Sequence, residues 1–175
     1  MKRNLTCFIA MSLAVLMLAA CAVTPTTAYA ETGVRASASG TAAETGVLLF
    51  STLHTSSAAN TINRILDVFP ANQQQQVKIQ LAQILKGVVC QQLVPTVNGG
   101  QRAVFEILKT TPAVQNMIRE DKLHQLDSAM QAGAADGMCT MDGSLLKLYR
   151  EGIITKETAL ISCVHYETML KRLSL

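Results

Sequence analysis

His54 stands in the run Phe50-Ser51-Thr52-Leu53-His54-Thr55-Ser56-Ser57-Ala58. An imidazole flanked by the hydroxyls of Thr52 and Thr55 could polarise or sense a phosphate held beside it. The surrounding pattern decides whether it has that opportunity. The apolar run Val47-Leu48-Leu49-Phe50 reads as a short buried strand. After the hydroxyl residues, Ala58, Ala59, Ile62, Ile65, Leu66 and Phe69 recur at helical spacing. His54 is therefore predicted on the turn between a strand's C-terminal end and a helix's N-terminus. Open α/β sheets bind ligands in that place, and a helix N-terminus there attracts anions. The alternative is a hydrogen-bonded structural histidine.

The elements that must hold this turn follow in order. Asn60, Asn63, Arg64 and Asp67 face outward on the first helix, which Pro70 stops near Phe69 by removing a donor and biasing the preceding residue. A second helix is expected from about Asn72 to Lys86, with the four consecutive glutamines as its polar opening turn, a stripe of Val77, Leu81, Ile84 and Leu85, and Gly87 at its end. Val88–Val94 and Arg102–Leu108 are β-rich, and Asn98-Gly99-Gly100 supplies the positive φ of a hairpin turn. Thr111 and Pro112 open a helix as N-cap and first residue. Short helices are then predicted over Leu123–Gln131, after an Asp142 cap, after a Thr155 cap with an Ile154–Ala159 staple, and over Tyr166–Leu173.

The N-terminal part has a different character. Lys2-Arg3 precedes an apolar run from Leu5 to Cys21, the layout of an export signal. Leu18-Ala19-Ala20-Cys21 resembles a lipobox, making Cys21 a lipidation candidate, and Ala28-Tyr29-Ala30 is a competing cleavage site. An uncleaved single membrane anchor is the third reading, so membrane association through this leader is expected. The predicted organisation is a leader over 1–30, a small, polar, flexible linker over 31–41, and one folded body over 42–175. A net charge of +3 with scattered Lys and Arg, no Trp and few aromatics argues against a nucleic-acid partner. Cys90, Cys139 and Cys163 have no metal-site spacing and are expected as buried or half-buried free thiols, with no metal bound.

The run from Ala43-Glu44-Thr45-Gly46 through His54 to Ala59 resembles the histidine box of the secretion ATPase superfamily. Its continuation, Thr61-Ile62-Asn63-Arg64-Ile65-Leu66-Asp67-Val68-Phe69-Pro70 with a Gln-rich helix after it, is similar to the retraction ATPases of type IV pili, which power twitching motility. The similarity extends through Gly137-Met138-Cys139-Thr140-Met141-Asp142 to about Thr158. The resemblance implies an α/β fold, the C-terminal portion of a RecA-like P-loop ATPase domain. It implies a hexameric motor that uses ATP and Mg²⁺ and engages the pilus machinery at the cytoplasmic face of the inner membrane. His54, Thr52 and Thr55 would be the catalytic residues. Ala113, Asn116, Ile118, Arg119 and Glu120 would belong to the segment that couples to retraction or to a partner.

The sequence also departs from the family. The phosphate loop G-x-x-x-x-G-K-[ST] and an acidic strand end for Mg²⁺ do not occur in these residues. Val47 stands where the family has a second histidine, and Gln115 replaces an arginine in the retraction-linked segment. The expectation is a chain that does not hydrolyse ATP alone and whose unpaired strand edges make the body poorly stable without a partner. Two further readings stay open: an exported or lipid-anchored non-enzymatic protein, and a truncated or fused copy without a function of its own.

Overall fold

The hairpin is the frame of the molecule. In a computed structural model, which describes residues 15–19, 28–31, 43–44, 46 and 48–174, Gly99 and Gly100 adopt φ of 79° and 91°. They join β4 (Gly87–Pro95) to β5 (Gln101–Lys109), which pair antiparallel from Gly87 opposite Lys109 to Pro95 opposite Gln101. Val88, Cys90 and Val94 on β4, and Val104, Glu106 and Leu108 on β5, are buried, so one face of the hairpin is packed. Gly87 is needed where it stands. A Cβ there would come within 3.0 Å of the Leu108 carbonyl oxygen. It was expected to end a helix; it opens β4 instead.

Three more strands complete a five-stranded sheet in the order β2-β3-β1-β4-β5. β1 (Val15–Ala19) lies antiparallel to both β3 (Leu49–Leu53) and β4, and β2 (Ala28–Glu31) runs parallel to β3. β1 and all of β2 but Glu31 fall within the segment read as an export leader, and Glu31 is the first residue of the expected linker. Met1-Lys2-Arg3, Cys21, the linker over 32–41 and Val47 lie outside the described residues. β3 differs from its predicted span. It begins at Leu49 and continues through the polar Ser51 and Thr52, because pairing with two neighbours needs only their backbone groups.

The helices are α1 (Ala58–Leu66), α2 (Ala71–Ile84), α3 (Pro112–Arg119), α4 (Leu126–Ala132), α5 (Met141–Arg150), α6 (Lys156–Ser162) and α7 (Tyr166–Leu173). α1 stops at Leu66, short of the expected Phe69, whose N–H closes a turn on the Leu66 carbonyl. α2 carries its polar opening turn as predicted, and buries only Leu81 and Ala82. Thr111 and Thr155 cap α3 and α6 through the amides of Val114 and Thr158. Asp142 does not cap α5: Thr140 does, accepting from the Gly143 amide at 3.1 Å. The core joins Ile62, Leu108, Ile118, Leu126, Met141, Leu145 and Met169, so hairpin and helices share one interior.

Candidate functional site

β3 ends at Leu53 and α1 begins at Ala58, so the residues between them are fixed from both sides. Alternation along the strand's exit sorts the side chains. Thr52 and His54 are exposed, and Thr55 turns inward with 6% of its surface accessible. The Thr55 and Thr61 hydroxyls lie 2.7 Å apart, and Thr61 Oγ1 donates to the Ser57 carbonyl at 2.8 Å. Thr61's single proton is thus committed, so Thr55 is the donor in the pair. Thr55 braces the turn from within, whereas Thr52 and His54 face solvent. The structure does not present the three as one cluster. Arg64 Nη1 donates to the His54 carbonyl at 2.9 Å and holds the turn from the next helical layer.

The helix end behind His54 was expected to welcome an anion. It already has one. The Ala58 amide donates to Glu106 Oε1 at 2.6 Å, and the Asn60 amide donates to Ser57 Oγ at 3.3 Å. Glu106 projects from β5 with 2% of its surface accessible, and its other oxygen accepts from the Met141 amide at 3.0 Å. One carboxylate thus caps the first residues of α1 and α5. Burial pushes its pKa above the ordinary carboxylate value; the Ala58 and Met141 amides pull the other way, and the charges of Asp127 and Asp142 add to the upward push. Cys90, beside it on β4, is pushed up to about 12 by burial and then by the Glu106 charge, against a lowering bond with Thr61. Such a thiol stays protonated and inert. Cys90 is buried and Cys139 and Cys163 are half-buried, all three free, as expected.

Glu106 was not singled out from sequence. Its signal was present nonetheless: a charged residue on the inward side of an alternating run, between Val104 and Leu108. Asp142 repeats the device. Its two oxygens accept from the amides of Val164 at 2.7 Å and His165 at 3.0 Å, ahead of α7. His165 Nε2 in turn meets Asp127 of α4 at 2.5 Å.

The segment linked by resemblance to retraction is α3 and its C-terminal end. Val114 and Ile118 are fully buried, whereas Ala113, Asn116, Arg119 and Glu120 are exposed. Of the five predicted residues, Ile118 is therefore a core residue and the other four lie on the surface. Glu120 meets Lys122 at 2.6 Å, and that partner holds its pKa below the usual carboxylate value.

Among the described residues the α1 N-terminus is occupied by the Glu106 carboxylate, and the sequence holds no phosphate loop. Among the described residues no group of three or more His, Cys, Asp or Glu could hold a metal ion, and no helix is long and apolar enough to cross a membrane.

Residues 34–158 match the model of the type II/IV secretion system protein family. The chain is 49% identical over 119 residues to the type IV pilus retraction ATPase PilT of Pseudomonas aeruginosa, covering 68% of this chain and 35% of that protein. It is 48% identical over 130 residues to a twitching motility protein of Neisseria gonorrhoeae, covering 74% of this chain and 35% of that protein. It thus spans about a third of the length of these relatives. Among solved structures, the pilus retraction motor PilT with bound ADP superposes with a TM-score of 0.75 at 39% identity, over 84% of this chain and 42% of that one. The Legionella pneumophila ATPase DotB superposes with a TM-score of 0.65 at 24% identity, over 79% of this chain and 38% of that one, a likeness of fold.

Proposed function

Because this chain belongs to the type II/IV secretion system protein family, we propose that it supplies the histidine-box turn and C-terminal helices of a pilus-retraction motor. The observation that carries this reading is His54, exposed on a turn braced by Thr55, Thr61 and Arg64, inside residues 34–158 that match the family, in a chain 49% identical over 119 residues to a pilus retraction ATPase. His54 and Thr52 are the groups offered outward; Thr55 acts through the shape of the turn. The exposed face of α3, with Ala113, Asn116, Arg119 and Glu120, is the surface for movement or partner contact, and Ile118 anchors it. ATP and Mg²⁺ enter only as ligands held by another part of such a motor. The setting that goes with this reading is a hexamer working with the pilus machinery at the cytoplasmic face of the inner membrane.

The test is complementation of a retraction-deficient strain by this chain, alone and with a separately supplied N-terminal half. Rescue with the supplied half, lost in His54→Ala, is expected. No rescue in either format would overturn the reading. Without a partner, the full chain should release no phosphate from ATP above background. A helix end and one imidazole offer an anion on the order of 1–2 kcal/mol, while millimolar binding needs about 4 kcal/mol.

A second reading rests on Lys2-Arg3, the apolar run and Cys21: an exported or lipid-anchored protein without enzymatic activity. Mass spectrometry of the N-terminus from cells separates the two. A diacylated Cys21 supports export; an intact Met1 removes it.

A further inference from the structure

We infer that Glu106 is a positioning residue that makes the His54 turn and the C-terminal helices move as one body. The inference rests on the reading of His54 above, and deepens it. Glu106 is the bridge: Oε1 holds Ala58, four residues past His54, and Oε2 holds Met141, the first residue of α5. Both amides are N-terminal donors that their own helices cannot satisfy. Both helices also direct the positive ends of their dipoles at the same carboxylate.

The α5 side of the bridge is itself firmly attached. Cys139 pairs with Ile107 on β5 through bonds of 2.8 and 3.1 Å. Ser144 Oγ donates to the Phe105 carbonyl at 2.7 Å. Beyond α5, the Asp142 carboxylate holds the entry to α7, and the Asp127–His165 pair ties that entry to α4. Displacing α1 by an ångström would stretch a 2.6 Å bond to a side chain that has no room to follow, since it is buried between β5 and the two helix ends. The displacement is passed to α5 instead, or the bond breaks. A carboxylate suits this role because it has two acceptor edges. Glutamine has one acceptor oxygen and a donor that cannot receive an N–H, so it can hold one helix end and not both.

The test uses amide hydrogen exchange on the full 175-residue chain without nucleotide, so that its failure is distinct from failure of the His54 reading. Thr140→Ala removes the local cap of α5 and should speed exchange in residues 140–144 by about fivefold. Coupling predicts that residues 54–59 speed up with them, relative to α3 as an internal standard for general destabilisation. In a Glu106→Gln background, Thr140→Ala should still loosen α5 but leave 54–59 where Glu106→Gln alone had put them. An α5 loosened by Thr140→Ala with an unchanged turn in the otherwise native chain overturns the inference, whether or not Glu106→Gln folds. Equal responses in the two backgrounds would overturn it as well.

Discussion

α3 and α6 begin on caps supplied by their own neighbours in sequence. Thr111 and Thr155 each accept from the amide three residues on, at 3.4 and 3.2 Å. α1 and α5 have such local caps too, in Ser57 and Thr140, but they also share Glu106, which lies 48 residues from one partner and 35 from the other. A local cap stabilises one helix and reports on nothing else. A shared cap makes the start of one helix depend on the position of another. The shared cap stands directly behind the histidine turn, and the local caps of α3 and α6 do not. Long-range attachment thus stands behind the exposed His54 turn and at the entry to α7, whereas α3 and α6 begin on their own neighbours.

The largest effect expected from this contrast is that of Glu106→Ala. It leaves two buried amides without a partner, at about 1–3 kcal/mol each. Relief of the buried charge offsets part of that, so a net loss of about 3 kcal/mol in urea unfolding of the full chain is expected. A loss no greater than that of Thr111→Ala would erase the distinction between shared and local caps.

Proton linkage sharpens the same point. Burial outweighs the two amide bonds and raises the pKa of Glu106 in the folded chain. The folded state therefore holds this proton more tightly than the unfolded chain does. Its contribution to stability is present in full below the ordinary carboxylate value and is lost as pH rises through the raised value. Urea midpoints measured upward across that window should fall. Glu106→Gln, which does not titrate, should flatten the fall, and an unchanged slope would show that another group causes it.

This contrast also explains what could be read in advance. Thr111-Pro112 and Thr155 were legible because cap and capped amide are three residues apart. The hairpin was legible because Asn98-Gly99-Gly100 admits few alternatives. Asp142 was misassigned for the opposite reason. A carboxylate near a helix start looks like its cap, yet Thr140 caps α5, and Asp142 serves α7 from 22 residues away. Thr55 looked like a partner of His54 until strand alternation turned it toward Thr61. The position of His54 at the end of a strand followed from periodicity, but the polar half of β3 did not. A strand held by backbone pairing on both sides need not be apolar throughout.

Smaller changes are expected at the locally capped ends. Thr111→Ala and Thr155→Ala should each cost about 1 kcal/mol. Each should also leave amide exchange at the His54 turn unchanged relative to the rest of the chain. Acceleration confined to residues 54–59 in either variant would mean that the local caps also reach the turn.

The smallest effect concerns the other end of α3. Asp121 adopts a φ of 61°, in the left-handed region that costs a residue with a Cβ about 1 kcal/mol. Glycine would remove that strain and restore backbone freedom to the unfolded chain, which takes back about 0.5–1 kcal/mol. It would also give up the Lys78–Asp121 contact of 2.9 Å between α2 and the end of α3. That pair joins a side chain 13% accessible to one 61% accessible, so solvent screens it and it contributes less than about 1 kcal/mol. The opposing effects nearly cancel, and Asp121→Gly should leave the unfolding midpoint within about 0.5 kcal/mol of the parent. Asp121→Ala keeps the strain and, like glycine, loses the ion pair, so it should be the less stable of the two by no more than about 0.5 kcal/mol. If alanine proved clearly more stable than glycine, the left-handed backbone at Asp121 would carry no strain, and the cost of either change would lie in the lost Lys78 contact.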